Sequence, residues 1–254
     1  MATSARAESV AIYAAGSLRA TVEALAGEAH AAIDVDIKPV FGGSGLLRQR
    51  IESGERPDLF LSADLDSPRK LAAAGRTVVP TISFARNRMC VVARPSTGLT
   101  PQNLIDRMLA PDLRLRTSTP VADPAGDYAM AVFDRLDALR PGAGRTLRAK
   151  AQRAAEAEAS AAPQPGLAGV VSLFRNDRID LMVTYCSVRS ALEQVMPEIT
   201  TVMLPPELDP HPVYAMAVLS ARPSALRLAL FLLSEQGQSI VSRTGLLPLL
   251  DAAR

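Results

Sequence analysis

Near its start the chain contains Val10-Ala11-Ile12-Tyr13-Ala14-Ala15-Gly16-Ser17-Leu18, an apolar run that ends in a turn of small residues. The pattern returns in the next segment, where Val35–Val40 leads into Gly42-Gly43-Ser44-Gly45. Each run predicts a short strand, and apolar residues at helical spacing follow each turn. Such a turn exposes backbone N–H groups, and the helix behind it favours negative charge. Two turns with hydroxyls predict a cage for an anion; the alternative is that both serines only cap helices.

A third strand and helix follow the first two pairs. Leu59-Phe60-Leu61 precedes Ser67-Pro68, which reads as an N-cap with proline at the first helical position, and Gly75 stands where this helix should stop. Three strand–helix pairs in succession predict a parallel sheet in an α/β protein. Ligands of such sheets bind at the carboxyl ends of the strands, where both serines are expected.

The rest of the sequence predicts a second lobe, after which the chain returns to the first lobe. Strands are expected at Met89–Ala93, Leu113–Thr117, Leu181–Tyr185 and Val213–Leu219, with helix entrances at Asp123-Pro124 and Gly166-Leu167. The last helices have no strand after them, so they should pack on a lobe already built. We therefore predict two α/β lobes, 1–83 with 206–254 and 84–205, that the chain connects twice, with a ligand cleft between them.

The segment between the two predicted helix entrances contains an alanine-rich insert. Thr146–Ala162 is rich in Ala, Arg and Glu and has no strong apolar face. We predict an exposed helix here, ended by Pro163 and Pro165.

Composition excludes several classes of protein. The 254 residues are 48% apolar and 21% charged, with a formal net charge of +2. The basic residues are dispersed, which argues against nucleic-acid binding. No apolar run approaches the roughly 18 residues that a membrane span needs, so we expect a soluble chain, and we expect it to be a monomer.

The cysteines and the N-terminus leave the compartment open. Cys90 and Cys186 permit one bridge, but their spacing does not require it, and buried reduced thiols are the favoured expectation. Met1-Ala2-Thr3-Ser4 lacks the features of a signal peptide. The protein is therefore either cytoplasmic or exported with its leader removed.

The sequence offers little for catalysis. A nucleophile elbow would need glycine where Leu46 stands, and the two histidines, His30 and His211, have no evident triad partners. No phosphate-binding glycine loop and no metal-ligand spacing occurs, so we predict no enzyme, no cofactor and no protein-bound metal. Three neighbouring carboxylates suit loop and helix-capping roles better than catalysis: Asp58, Asp64 and Asp66.

Several short motifs, in their order and spacing, carry a family resemblance. They are Ala14–Leu18, Gly43–Gly54, Arg56–Asp64, Phe84–Arg88, Asp123–Ala129 and Val183–Tyr185, followed by the closing stretch Gly237–Leu247. Over nearly its full length the chain resembles the periplasmic molybdate-binding proteins of ABC transporters. This resemblance implies a type II periplasmic-binding fold, in which two α/β lobes with a double-crossover hinge close on a tetrahedral oxyanion.

The resemblance also implies a set of ligand-binding residues. Ser17 and Ser44 would each donate a hydroxyl and a backbone N–H, Ala125 and Leu167 would offer backbone N–H groups at helix starts, and Tyr185 would add its phenol. For Tyr185 the alternative is an aromatic side chain packed in the core.

Function and location follow from the same resemblance. It implies a periplasmic receptor that captures molybdate or tungstate and delivers it to a membrane ABC permease. Two departures are Cys186-Ser187-Val188 after the tyrosine and the long segment before Leu167. They leave open a receptor of this fold for another oxyanion or a small organic acid, and beyond that an enzyme or a regulatory effector-binding module.

Overall fold

The computed structural model describes residues 8–156 and 166–249, which form strands and helices. In chain order these are β1 (Glu8–Ala15), α1 (Arg19–Ile33), β2 (Val35–Gly42), α2 (Ser44–Glu52), β3 (Leu59–Ser62), α3 (Asp66–Ala73), β4 (Ile82–Arg86), β5 (Met89–Ala93), α4 (Leu104–Leu109), β6 (Leu115–Thr117), α5 (Pro124–Leu139), α6 (Ala143–Glu156), α7 (Gly166–Arg175), β7 (Leu181–Tyr185), α8 (Arg189–Val195), β8 (Thr200–Met203), β9 (Val213–Val218), α9 (Pro223–Leu233), α10 (Glu235–Arg243) and β10 (Leu247–Pro248).

The chain divides into two compact units. The first unit contains the described residues up to Arg86 and from Val213 onward, and the second is Asn87–Pro212. The two crossings fall later than residues 83 and 205. The first follows β4, which belongs wholly to the sheet of the first unit, and the second directly precedes β9, since Asp209 is still bound to Met89 of the second unit.

The first unit holds a six-stranded mixed sheet in the order β10-β4-β9-β3-β1-β2. β1 pairs with β2 and β3 in parallel, whereas β9 runs antiparallel to β3 and β4, and β10 runs antiparallel to β4. The predicted parallel pairing is thus confirmed for the three strands from which it was drawn, but the sheet as a whole is mixed, because β9 and β10 run in the opposite direction. β9 enters after the return crossing rather than through a strand–helix–strand connection, so it is not held to the parallel direction.

The end of the chain also differs from expectation. The final helices are followed by β10, a two-residue strand that pairs with β4. A two-residue strand is too short to show alternating apolar and polar residues in the sequence. It is defined only by its pairing with β4.

The second unit holds a four-stranded sheet in the order β6-β7-β5-β8. β6 and β7 are parallel, and β5 runs antiparallel to both β7 and β8. Against β5 and β7 lies an apolar cluster of Val92, Phe174, Ile179, Met182, Leu192, Met196 and Ile199.

The alanine-rich insert forms a helix that is more buried than predicted. α6 begins at Ala143 and packs against α5 and β6 through Leu147 and Ala151. Lys150 is also buried, and its Nζ donates to the carbonyl oxygens of Met108 (2.7 Å) and Ala110 (2.6 Å) at the end of α4. Burial lowers the pKa of this ammonium. The segment 157–162 and the two prolines lie outside the described residues.

The expectation of reduced cysteines is wrong. Cys90 in β5 and Cys186, directly after β7, form a disulfide with a Cα–Cα distance of 5.0 Å. The antiparallel pairing of β5 with β7 brings together two residues that are 96 positions apart in sequence. Disulfides persist in oxidising compartments, so the bond favours an exported protein over a cytoplasmic one.

Replacing both cysteines by alanine should lower the free energy of unfolding of the second unit by about 2–4 kcal/mol, because the bridge closes a long loop in the unfolded chain. Denaturant unfolding with and without reductant measures this change. Reductant should reproduce the loss in the wild-type protein and leave the Cys90→Ala/Cys186→Ala variant unchanged. Equal stability of oxidised and reduced wild type would contradict the expectation.

Candidate functional site

The carboxyl ends of three parallel strands meet at one edge of the first sheet. Ala15 pairs with Gly42 across β1 and β2, and Ala14 pairs with Leu61 across β1 and β3. Ser17 lies two residues after the end of β1, and Ser44 lies two residues after the end of β2. The two predicted serines belong to adjacent, in-register strand ends.

Ser17 lies in the short 3-10 turn Gly16–Leu18 and is half-buried. Its Oγ accepts a hydrogen bond of 3.0 Å from the phenol of Tyr214. Tyr214 stands near the start of β9 and is fully buried, with its ring edge-on to that of Phe84. The antiparallel direction of β9 brings its first residues to the edge where β1 ends.

Ser44 is the first residue of α2 and is fully buried. The preceding residue, Gly43, is extended with φ −64° and ψ 135° and occupies the N-cap position. The Oγ of Ser44 accepts a hydrogen bond of 3.1 Å from the backbone N–H of Ala63, directly after β3. The hydroxyl is thus bound to a neighbouring strand end rather than to its own helix.

The capping alternative for the two serines does not hold. Ala15 and Leu18 occupy the N-cap positions of the 3-10 turn and of α1, and Gly43 that of α2. Each serine hydroxyl instead accepts one internal hydrogen bond, and within residues 8–156 and 166–249 neither hydroxyl donates to a protein acceptor. A serine hydroxyl carries one hydrogen and two lone pairs, so both remain able to donate.

In the second unit, Tyr185 ends β7 and is 3% exposed. Its ring lies edge-on to Tyr128 of α5, with 6.2 Å between ring centroids. Met89 of β5 is its partner in the sheet, and Asn87 donates from Nδ2 to the Oγ of Ser187 at 2.9 Å. The ring is thus packed as the core alternative supposed, and it stands at the carboxyl end of its strand.

Ala125 lies at the second position of α5 and is 3% exposed. Its N–H donates to the carboxylate of Asp123, the N-cap residue, at 3.1 Å. The amide that the resemblance offers to a ligand is therefore bound to a side chain in this conformation. The next residue, Gly126, packs closely against the backbone of 118–120.

Leu167 is the second residue of α7, and its side chain packs on the apolar cluster of the second unit. Arg94, just after β5, donates to the carbonyl oxygens of Phe174 and Ile179 and so fixes the C-terminal end of α7. That end lies at the sheet edge opposite Tyr185, because β5 and β7 are antiparallel.

Sequence reasoning missed three residues that hold these groups. Tyr214 donates a hydrogen bond to Ser17, and the N–H of Ala63 donates one to Ser44. The carboxylate of Asp123 accepts one from Ala125. Only Asp123 carried a signal, the Asp-Pro pair of a helix entrance. The other two are brought to the first unit's site by strand pairing.

Two of the three carboxylates accept structural hydrogen bonds, and the third lies at a helix start. Asp58 accepts from the N–H of Ala11 at 2.9 Å and from Arg222. Asp64 accepts from the N–H of Ser67 at 2.6 Å and from its hydroxyl. Asp66 lies in the first turn of α3. Ser67 is therefore inside the helix, and the prediction that it is the N-cap is wrong.

Similarity to known proteins agrees with this geometry. A family described as bacterial extracellular solute-binding protein matches residues 10–247. The chain belongs to this family. Its members bind solutes outside the cytoplasm, in agreement with the disulfide. A relative from Pasteurella multocida, the uncharacterized protein PM1146, is 34% identical over 243 residues, which cover 93% of this chain and 98% of the relative.

Two solved structures share the fold of this solute-binding protein. The periplasmic molybdate-binding protein of Azotobacter vinelandii gives a TM-score of 0.74 at 17% identity, covering 95% of this chain and 100% of that one. The sulfate-binding protein SubI of Mycobacterium tuberculosis gives 0.73 at 19% identity, covering 96% and 88%. The fold is therefore that of type II periplasmic-binding proteins, as predicted.

The helices are not of the membrane-spanning kind. Along residues 8–156 and 166–249, every helix is too short or too polar to cross a bilayer.

Gly126→Ala should destabilise the protein by about 1–3 kcal/mol, because the new Cβ would lie 2.5 Å from the carbonyl oxygen of Ser118 and 2.6 Å from the nitrogen of Pro120. Gly27→Ala is the matched control, since an added Cβ on this helical glycine meets no atom within 4 Å apart from the nearby backbone of its own helix. The control should gain about 0.5–1 kcal/mol. Denaturant unfolding of both variants checks the pair, and equal effects would contradict the close approach.

Proposed function

We propose that this solute-binding protein captures molybdate or tungstate and delivers it to a membrane ABC permease. The observation that carries the proposal is the pair of serine hydroxyls at adjacent strand ends, each accepting an internal hydrogen bond and each left with a hydrogen to donate. Two uncharged donors so arranged suit a fully deprotonated oxyanion, which only accepts hydrogen bonds.

The backbone supports the same charge preference. Ser44 begins α2, a nine-residue helix whose first N–H groups have no acceptor within the helix. The helix dipole places partial positive charge at this end. Charge-assisted hydrogen bonds to a dianion contribute about 1.5–3 kcal/mol each, so several neutral donors suffice without a fixed counter-ion.

We propose that the second unit contributes Tyr185, Leu167 and Ala125 to the same ligand. Tyr185 supports this by its place at the carboxyl end of β7, and Leu167 by its place at a helix start. For Ala125 the N–H would have to exchange Asp123 for the ligand, since the carboxylate accepts it at 3.1 Å. Ala125 is therefore the member of the set that depends on a rearrangement.

A second candidate function is a receptor for sulfate or another anion, including a small organic acid. The fold is shared by a sulfate-binding protein at nearly the same TM-score as by a molybdate-binding protein. The engagement of the Ala125 amide favours this candidate, because one donor of the molybdate set is occupied. Discrimination between the tetrahedral dianions would have to come from cavity size.

Delivery to a permease sets the location and the partners. We propose a periplasmic monomer whose partners are the oxyanion and the permease, with no resident cofactor. The disulfide between Cys90 and Cys186 supports an oxidising location.

Molybdate and tungstate should raise the melting temperature of the purified protein, because a ligand that binds only the native state stabilises it by mass action. Sulfate and phosphate at the same millimolar concentration and ionic strength should produce no shift. A thermal-shift titration across these four anions is the measurement. A shift with sulfate or an organic acid, and none with molybdate or tungstate, would select the second candidate.

Ser44→Ala should weaken molybdate binding roughly ten- to hundredfold, the loss of one charge-assisted hydrogen bond. The hydrogen bond from the N–H of Ala63 to the Ser44 hydroxyl is lost as well, so the melting temperature should fall modestly while the fold persists. Ser53→Ala, at the exposed other end of α2, is the matched control and should bind as the wild type does. Calorimetric titration measures both, and unchanged affinity in Ser44→Ala would remove this residue from the site.

A further inference from the structure

We infer that Tyr214 is a positioning residue for oxyanion binding, because its phenol fixes the direction in which Ser17 donates. The inference rests on the proposed function and adds a residue to it. The carrying observation is the 3.0 Å hydrogen bond from the phenol of Tyr214 to the Oγ of Ser17, 197 positions earlier in the chain.

The direction of this hydrogen bond follows from chemistry. A phenol is several pKa units more acidic than an alcohol, so it is the better donor of the two, and the serine oxygen is the better acceptor. Once Ser17 accepts from Tyr214, its own hydrogen must point elsewhere. A hydroxyl that accepts one hydrogen bond is also polarised and becomes a stronger donor in the next.

The structure holds the phenol rigidly enough for this role. Tyr214 is fully buried, and Phe84 of β4 contacts its ring edge-on with centroids 6.3 Å apart. Its backbone is part of β9, which lies between β3 and β4 in the sheet. The aromatic ring therefore has little rotational freedom, and its hydrogen bond restrains the hydroxyl of the half-buried Ser17.

Ser44 shows the same arrangement with a different donor. The N–H of Ala63 occupies one lone pair of the Ser44 hydroxyl, as the phenol does for Ser17. A backbone donor cannot be removed by a side-chain substitution, whereas the phenol can. Tyr214 is therefore the position at which the effect of such an internal donor is open to a clean test.

The chain offers a matched control in Tyr13. This second buried tyrosine lies in β1 of the same unit, and its phenol is bound to Glu55 and Arg50 rather than to a predicted ligand-binding residue. Tyr13→Phe removes a hydrogen-bonded phenol from the same unit without touching Ser17. It calibrates the general cost of losing such a group.

The experiment is a double-mutant cycle on molybdate affinity by calorimetric titration. Tyr214→Phe should weaken binding about three- to tenfold, the equivalent of one net hydrogen bond. Ser17→Ala should weaken it further, and the double variant should bind no more weakly than Ser17→Ala alone, because Tyr214 acts only through that hydroxyl. Tyr13→Phe should bind as the wild type does.

The outcomes separate this inference from the proposed function. Wild-type affinity in Tyr214→Phe, or additive losses in the double variant, would overturn the inference and leave oxyanion binding standing. Absence of oxyanion binding by the wild type would overturn the proposed function, and the inference with it.

A second measurement applies if Tyr214→Phe does not fold. Incorporation of 3-fluorotyrosine makes the phenols more acidic and so strengthens them as donors while keeping every ring in place. It should raise molybdate affinity more in the wild type than in Ser17→Ala, because only the wild type has the acceptor. An equal change in both backgrounds would overturn the inference.

Discussion

The parallel, in-register pairing of β1 with β2 and β3 is the constraint on which the first unit depends. It fixes three carboxyl ends at one sheet edge, since Ala15 pairs with Gly42 and Ala14 with Leu61. Two serines that are 27 positions apart become neighbours through this register alone. A one-residue slip would turn every side chain of a strand to the other face and separate them.

Polarity at this edge is controlled by internal donors. A free serine hydroxyl both donates and accepts, so by itself it does not discriminate between a bare and a protonated oxyanion. Tyr214 and Ala63 each occupy an acceptor position of a serine, which biases both hydroxyls toward donation. For the oxyanion ligand that we propose, such a bias is a physical route from a neutral side chain to selectivity.

In the second unit, antiparallel pairing fixes the position of Tyr185. β5 and β7 place Met89 beside Tyr185, and a disulfide joins Cys90, the residue after Met89, to Cys186, the residue after Tyr185. Asp123 meanwhile satisfies the amide of Ala125 at the start of α5. A ligand that takes this amide must compete with a carboxylate in place, which raises the free-energy cost of using that donor.

The sequence by itself determined the local elements: the two strand–turn–helix segments with Ser17 and Ser44, the Asp-Pro entrance of α5, and the strand ending in Tyr185. These follow from apolar periodicity and from glycine and proline, which act within a few residues. Only the tertiary structure decided the antiparallel entry of β9, the disulfide, the burial of α6, and the bonds from Tyr214 and Ala63. Each of these joins segments distant along the chain, and local propensity carries no information about which strand edge or side chain such a segment will meet.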